Sequence, residues 1–290
     1  MHIDPSKWDA LDRAWTAQLE KAPHHPDAWR IEQMLATAPV QRILLHMLAI
    51  QPGWSVLDAG AGFGLLAMEL AGQCALNVVG MDIDTGLLDT GRQVAARLDA
   101  DQWFDHGAAL QFVEGDLYDL SSEQARYDFI ISRFVYQHLT DPELATDQLV
   151  GALKPGGHLC VIDVDDQLGI TYPEPSDALE RLQHAYAAVQ EHRGGDRHVG
   201  RKLSTYLDAA GLDVSLTVVL PQAMHVPASV SDPGLAFTLS RLAQTREEII
   251  QDGAMSPQEF DECMEIASAE QVTSRFTLAA QLVVIGTKPG

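Results

Sequence analysis

The chain has 290 residues with 41 acidic against 19 basic side chains, a net charge of −22; most of that surface repels a nucleic-acid backbone, and no Lys/Arg-rich run makes an exception. At 46% hydrophobic and 21% charged it has the composition of an ordinary globular protein, and no apolar run approaches the length that crosses a membrane. Cys74, Cys160 and Cys263 are far apart and form no CxxC pair, which points away from a disulfide framework or zinc site and toward buried thiols in a reducing cytoplasm. The N-terminus lacks a basic start followed by an apolar core, so no signal peptide is expected.

In chain order, residues 5–22 and 26–50 predict helices. Apolar residues recur at helical spacing (Trp8, Leu11, Trp15, Leu19; then Ile31, Leu35), with Pro23 and Pro26 as breakers between. Then the rhythm changes. WSVLDAG (54–60) predicts a buried strand, FGLLAMELAG (63–72) a helix, NVVGMDI (77–83) a strand and TGLLDTGRQVAARLDA (85–100) a helix. LQFVEGD (110–116) and YDFIISR (127–133) predict strands, DPELATDQLVGALKPGG (141–157) one helix stopped by glycine, and HLCVIDV (158–164) a strand. Such alternation implies a parallel sheet covered on both faces. Beyond 165 we expect a helix over 175–192, a loop over 193–200, a short helix over 202–211 and a strand over 212–220. Helices over 233–252 and 256–272 precede a last strand within RFTLAAQLVVIGTKP.

The stretch VLDAGAGFG (56–64) puts three glycines at alternate positions after a buried strand. Interior glycine weakens both helix and strand, so a ligand pressed against bare backbone is the reading that explains it. A strand, glycine turn and helix aim backbone N–H groups at the carboxyl edge of a parallel sheet, where such folds bind ligands. The spacing is G-x-G-x-G, with Leu65 where a dinucleotide fingerprint has its third glycine. Asp58, inside the turn, suits an amino-bearing or cationic ligand better than a pyrophosphate. Asp82 ends the second strand, where a carboxylate accepts from ribose hydroxyls, and Asp116 closes the third, where an acceptor suits an adenine amino group. Each aspartate taken singly is also a common turn-former.

These residues together resemble the class I S-adenosylmethionine-dependent methyltransferases. The resemblance rests on D-x-G-x-G-x-G, an acid ending the second strand and G-D after the third. VYQHLTDP (135–142) after the fourth strand and KPGG (154–157) before the fifth add to it. It implies an α/β, doubly wound, seven-stranded, mostly parallel Rossmann-like sheet with the last strand antiparallel. N-terminal helices would precede it and a helical insertion would come before the last strand. The implied division is a helical cap over 1–50, a cofactor-binding core over 51–220 and 276–290, and an inserted substrate cap over 221–275. The resemblance also implies S-adenosylmethionine as cofactor and S-adenosylhomocysteine as product. Gly60 and Gly62 would lie against the methionine part, with Asp58 near its amino group. Asp82, with Ile83 beside it, would hold the ribose; Asp116 and the N–H of Leu117 would hold the adenine. Arg133, ending the fourth strand, would face cofactor and substrate.

His138 follows the fourth strand, where it could take a proton from a hydroxyl nucleophile, and Tyr136 could line the pocket; packing roles stand open for both. A metal is not expected. His24 and His25 are adjacent, and His192, Asp196 and His198 flank a glycine loop. Ser132-Arg133 stands where the magnesium-dependent members of the family carry an acid, and Asp163, Asp165 and Asp166 read as a polar rim. SRFV (132–135) replaces the asparagine-proline-proline-tyrosine signature of amide and base N-methylation. The expectation is a cytoplasmic methyltransferase of a small molecule, acceptor atom open, with a homodimer possible and no nucleic-acid or membrane partner. A protein methyltransferase of the same fold, or a cofactor-binding sensor or cyclase that transfers no methyl group, stands as the alternative.

Overall fold

Five parallel strands make the centre of one sheet, in the spatial order β3 (Ala109–Glu114), β2 (Asn77–Asp82), β1 (Ser55–Ala59), β4 (Tyr127–Arg133) and β5 (Leu153–Val164). The computed structural model describes residues 5–21, 27–73, 76–104, 107–230, 232–270 and 274–290. β8 (Arg275–Thr287) runs antiparallel to β5, and β7 (Asp213–Val226) pairs antiparallel along the whole of β8. β5 therefore shares the other edge of β8 with a three-residue strand, β6 (Ile170–Tyr172), which pairs with Phe276–Leu278. That short strand joins the expected seven. The chain winds outward from β1 to β3, then returns to place β4 on the other side of β1. The crevice at the carboxyl ends of β1 and β4 is thus the point where the winding reverses, the usual ligand position in open α/β sheets.

Alternate residues of each strand serve opposite faces, as the two-residue period of a strand requires. Leu57, Val79, Ile130, Leu159 and Val284 pack with Leu149 and Leu203, from α5 (Pro142–Ala152) and α7 (Leu203–Ala209). Val56, Val78, Ile131, Cys160 and Val283 pack on the other face, with Leu44 of α2 (Ala28–Met47) and Leu66 and Leu70 of α3 (Leu65–Gln73). α1 (Pro5–Lys21) and α4 (Thr85–Ala100) extend that side through Trp8, Trp15, Val94 and Leu98. A separate apolar cluster joins α6 (Asp177–His192), α8 (Pro233–Gln244), α9 (Arg246–Asp252) and α10 (Pro257–Ser268) through Leu182, Leu242, Ile249 and Phe260. α2 touches α8, and the Gln222 side-chain amide donates to the Ala36 carbonyl at 3.1 Å, so the chain's two ends meet on one side of the sheet.

Four boundaries differ most from expectation. The helix over 141–157 stops at Ala152, and Leu153–Gly157 opens β5 instead. Pro155 disfavours helical backbone at Lys154 and has no N–H to donate, and Gly156 takes φ +77°. β7 runs six residues past Leu220, through Pro221; on a strand with one free edge a missing N–H leaves no ladder bond broken. The helix over 233–252 divides at Thr245, whose hydroxyl donates to the Arg241 carbonyl at 2.9 Å, a back-bond that bends helices. The last insertion helix ends at Ser268, short of 272. Cys160 and Cys263 are buried free thiols, while Cys74, His24 and His25 lie outside the described residues. No helix among the described residues is long and apolar enough to cross a membrane.

Candidate functional site

The loop after β1 bends across the end of β2. The amides of Gly60 and Ala61 both donate to the Met81 carbonyl, at 2.9 and 2.8 Å. Gly60, Gly62 and Gly64 all hold positive φ, at +79°, +55° and +79°, where glycine carries no steric cost. Their surroundings differ. A Cβ on Gly60 would lie 2.3 Å from the Val135 side chain and one on Gly64 2.1 Å from the Phe112 ring, whereas one on Gly62 would meet nothing within 4 Å. Packing therefore requires the outer two glycines, and the middle one faces open space. Its amide donates to Oδ2 of Asp82 at 2.7 Å.

The three aspartates stand at the carboxyl edge. Asp58 is level with Gly80 of β2 and Ile131 of β4, and is buried, with Oδ2 lacking any partner. Burial pushes its carboxyl up to about 7; the Ala67 amide and Arg133 pull it down, and Asp82 and Glu69 push it further up. Asp82 accepts from the amides of Gly62 and, at 2.9 Å, Asp84. Each carboxylate oxygen has two acceptor sites, so both retain one. Ile83 beside it is 69% exposed. Gly115 donates its amide to the Asp82 carbonyl at 3.1 Å, which brings Asp116 to the same edge. Asp116 is exposed and accepts from the Tyr118 amide at 2.9 Å through one oxygen; Leu117 behind it is buried.

Arg133 ends β4, and its guanidinium lies 4.0 Å from the Phe134 ring centroid. Phe134 holds φ +59°, an uncommon conformation for a bulky residue and a strain of the kind that clusters at functional sites. Arg133 Nε is buried without a partner, and Nη2 reaches Gln281 Oε1 only at 3.5 Å. Burial draws its pKa down to about 10, against the charges of Glu69, Asp163 and Asp58. Two of those acids were not assigned to the site from sequence. Glu69 is fully buried on α3, accepts from Arg42 Nε at 2.7 Å and from the Gln41 amide, and is pushed by burial up to about 7. Asp163 is fully buried in β5, accepts from the amides of Gln137 (3.2 Å) and Val164 (2.8 Å), and is also raised by burial to about 7.

The polar-rim reading is therefore corrected. Asp163 lies inside, Asp165 is buried and paired with Arg201, and Asp166 holds Arg197 through both oxygens, at 2.8 and 2.7 Å. The histidine loop does not converge on an ion either. His192 pairs with Asp252 at 2.7 Å and Asp196 with Lys202 at 2.7 Å. Among the described residues no three His, Cys, Asp or Glu side chains stand where they could share a metal.

The two residues expected to be catalytic separate. Tyr136 is fully buried in the core, and its hydroxyl shares a 2.9 Å hydrogen bond with Thr146 of α5, so its ring packs the sheet and does not line a cleft. His138 keeps an exposed face. The Gln190 side-chain amide nitrogen lies 3.0 Å from its Nδ1 and donates to it, which assigns the ring proton to Nε2. Loss of solvent, then the charges of Arg197 and Arg30, pull its pKa down to about 4.

A family model described as a methyltransferase domain matches residues 27–216, more than half of the chain. The chain belongs to the class I S-adenosylmethionine-dependent methyltransferases. This chain is 30% identical over 135 residues to a demethylmenaquinone methyltransferase of Clavibacter sepedonicus, covering 47% of this chain and 46% of that protein. It spans about half the length of the curated relatives it matches. A solved structure of a Bacillus halodurans protein assigned as a methyltransferase superposes with TM-score 0.56 at 15% identity, over 86% of this chain and 98% of that one. The cyclase SpnF superposes at 0.55 and 15% identity, over 89% and 83%. At such identity these two likenesses speak for the fold alone.

The residues present fit S-adenosylmethionine. The orphaned, buried oxygen of Asp58 could take an ammonium group, and the remaining acceptor sites of Asp82 two ribose hydroxyls. The second oxygen of Asp116 could take an adenine amino group, and the open side of Gly62 leaves room beside the loop.

Proposed function

We propose that this protein is a methyltransferase of a small-molecule acceptor. The acceptor would lie at the carboxyl ends of β4 and β5, beneath α2, α6 and α8. One observation carries the reading: His138, straight after β4, feels groups from three directions. Gln190 reaches it from α6, Arg197 from the following loop and Arg30 from α2. The N-terminal helix α2 and the mid-chain α6 with its following loop thus roof one end of the crevice, which suits a small molecule better than an extended polypeptide. In this reading residues 1–50 and 221–275 act as caps on the core.

When bound, S-adenosylmethionine supplies an electrophilic methyl group on a cationic sulfur. Asp58 holds the amino end in this reading, and the loop at Gly60 and Gly62 lies along the methionine part. Asp82 takes the ribose with Ile83 beside it, and Asp116 and the Leu117 amide take the adenine. Arg133 balances the buried acids next to the reacting end. Such an arrangement works by alignment and exclusion of water. His138 has its proton on Nε2 and is a weak base, so it serves as a donor to the acceptor. That favours a carbon or amine nucleophile, which needs no strong base, over an alcohol.

Release of S-adenosylhomocysteine tests this directly. Turnover is expected with fractionated metabolites and not with a library of basic peptides. The reverse result would make it a protein methyltransferase. The weak base at position 138 also leaves room for a protein that binds the cofactor and transfers nothing. Calorimetric binding of S-adenosylmethionine with no demethylated product on any acceptor would establish that second reading.

A further inference from the structure

The chain's charge is −22, yet the roofed end of the crevice gathers cations. Arg241, on α8, lies over the ring of Tyr186 at 4.6 Å and near that of Phe237 at 5.6 Å. Its Nε is buried without a partner, and among the described residues the guanidinium makes no hydrogen bond and no ion pair; its terminal nitrogens keep access to solvent. The acid whose charge acts on it, Asp166, has both oxygens engaged by Arg197, and a third nitrogen of Arg197 donates to Gln137. Arg30 has Asp27 at 3.2 Å. Arg241 is therefore the cation of this group left without a countercharge.

α6 fixes its position relative to His138. Tyr186 and Gln190 are four residues apart and share a face of that helix, roughly 6 Å from one another. Arg241 stacks on the first, and His138 accepts from the second. The Tyr186 hydroxyl also makes no hydrogen bond among the described residues. Three donors without acceptors are thus arrayed along this face of α6: the Arg241 guanidinium and the Tyr186 hydroxyl at one end, and the Nε2–H of His138 one turn on. Partial burial of an unpaired guanidinium is costly unless a ligand completes it, and a stacked arginine fork matches the two oxygens of a carboxylate or phosphate.

We infer that Arg241, Tyr186 and His138 form an anion subsite, and that the methyl acceptor carries a carboxylate or phosphate group held there while its nucleophilic atom faces the sheet edge. This rests on the methyltransferase reading, which supplies the reason for an acceptor to bind.

The test is calorimetric titration of malonate and of inorganic phosphate into the protein saturated with S-adenosylhomocysteine, with ionic strength held by sodium chloride. Saturable one-to-one binding of one probe is expected, malonate marking a carboxylate site and phosphate a phosphate site. Arg241→Gln should weaken it at least tenfold and Arg241→Lys less, both with unchanged S-adenosylhomocysteine affinity as the check on folding. Absence of binding by both probes, or equal binding by wild type and Arg241→Gln, overturns the inference. Failure of S-adenosylhomocysteine itself to bind would instead bring down the methyltransferase reading, and the same titrations on the unliganded protein would still decide the subsite.

Discussion

The Gly62 amide donates to a carboxylate oxygen of Asp82 at 2.7 Å, tying the loop after β1 to the end of β2. One acid thus holds the loop and, in the proposed function, the ribose. Asp82→Ala removes an acceptor of two backbone donors, and charge-assisted bonds of this type contribute about 1.5–3 kcal/mol each. Affinity for S-adenosylhomocysteine is expected to fall at least tenfold in Asp82→Asn and further in Asp82→Ala, read by calorimetry. Unchanged affinity in the alanine variant would remove Asp82 from the cofactor site.

Asp58 carries a pH signature. Its carboxyl stands at about 7 in the folded protein, and an ammonium group against its unpartnered oxygen favours the ionised form. Cofactor binding is therefore expected to release a proton below pH 7 and to weaken as pH falls. In Asp58→Asn the binding should be weaker and that part of its pH dependence lost, measured by calorimetry in buffers of different ionisation heat.

The same group makes a stability prediction of definite sign. An unfolded aspartate titrates near about 3.9, so between that pH and about 7 the folded chain holds a proton the unfolded chain has given up. The group's favourable contribution is complete at low pH and is lost as pH rises through 7. Asp58→Asn should therefore stabilise the unliganded protein, by an amount growing from pH 5 to pH 8 toward a few kcal/mol at about 1.4 kcal/mol per pKa unit. Denaturant unfolding at several pH values measures it, and a gain independent of pH would count against a buried acid.

The strand ends and their acids were legible because each signal is local. Asp58, Asp82 and Asp116 follow short apolar runs, and the glycines follow the first of them. Glu69 was not legible. Inside LLAMELAGQ it looks like any helical glutamate, and its role depends on Arg42, 27 residues away on another helix. Arg241 and Gln190 escaped for the same reason, since what they face is set by how α6 and α8 pack. For Tyr136 the sequence left pocket and core readings open, because the irregular turn at 134–138, with Phe134 at positive φ, follows no fixed period that would tell which side chains face inward. KPGG reads in sequence as the end of α5 but belongs to the start of β5, because Pro155 acts on the residue before it.

The Glu69–Arg42 pair ties α2 to α3 beneath the loop, and Arg42 also holds Asp12 of α1. Arg42→Ala would leave a buried carboxylate unpaired, at a cost of about 3–5 kcal/mol. Adding Glu69→Gln should recover much of that loss, because the remaining polar group is neutral. Urea denaturation of the two single variants and the double variant reads the coupling, and additive losses would show that the pair does not act as a unit.

His138 separates a donor from a general base. With its pKa near 4 and Nδ1 accepting from Gln190, the ring is neutral across the physiological range and presents Nε2–H. A general base would lose roughly 100- to 10,000-fold in rate on removal, and its titration would appear as an acid limb in the rate profile. A donor would lose less, and a residue with another N–H would restore part of its function. On an identified acceptor, His138→Ala should therefore raise KM more than it lowers kcat, His138→Asn should recover part of the loss, and wild-type kcat should show no limb near pH 6.5. Gln190→Ala supplies the complement. With no donor holding Nδ1, the ring is free to exchange tautomers, and a rise in KM without a new pH limb marks Gln190 as the residue that positions His138. A limb near 6.5 in the wild type, with a loss of a thousandfold in His138→Ala, would make His138 the base after all and return an alcohol nucleophile to the reading.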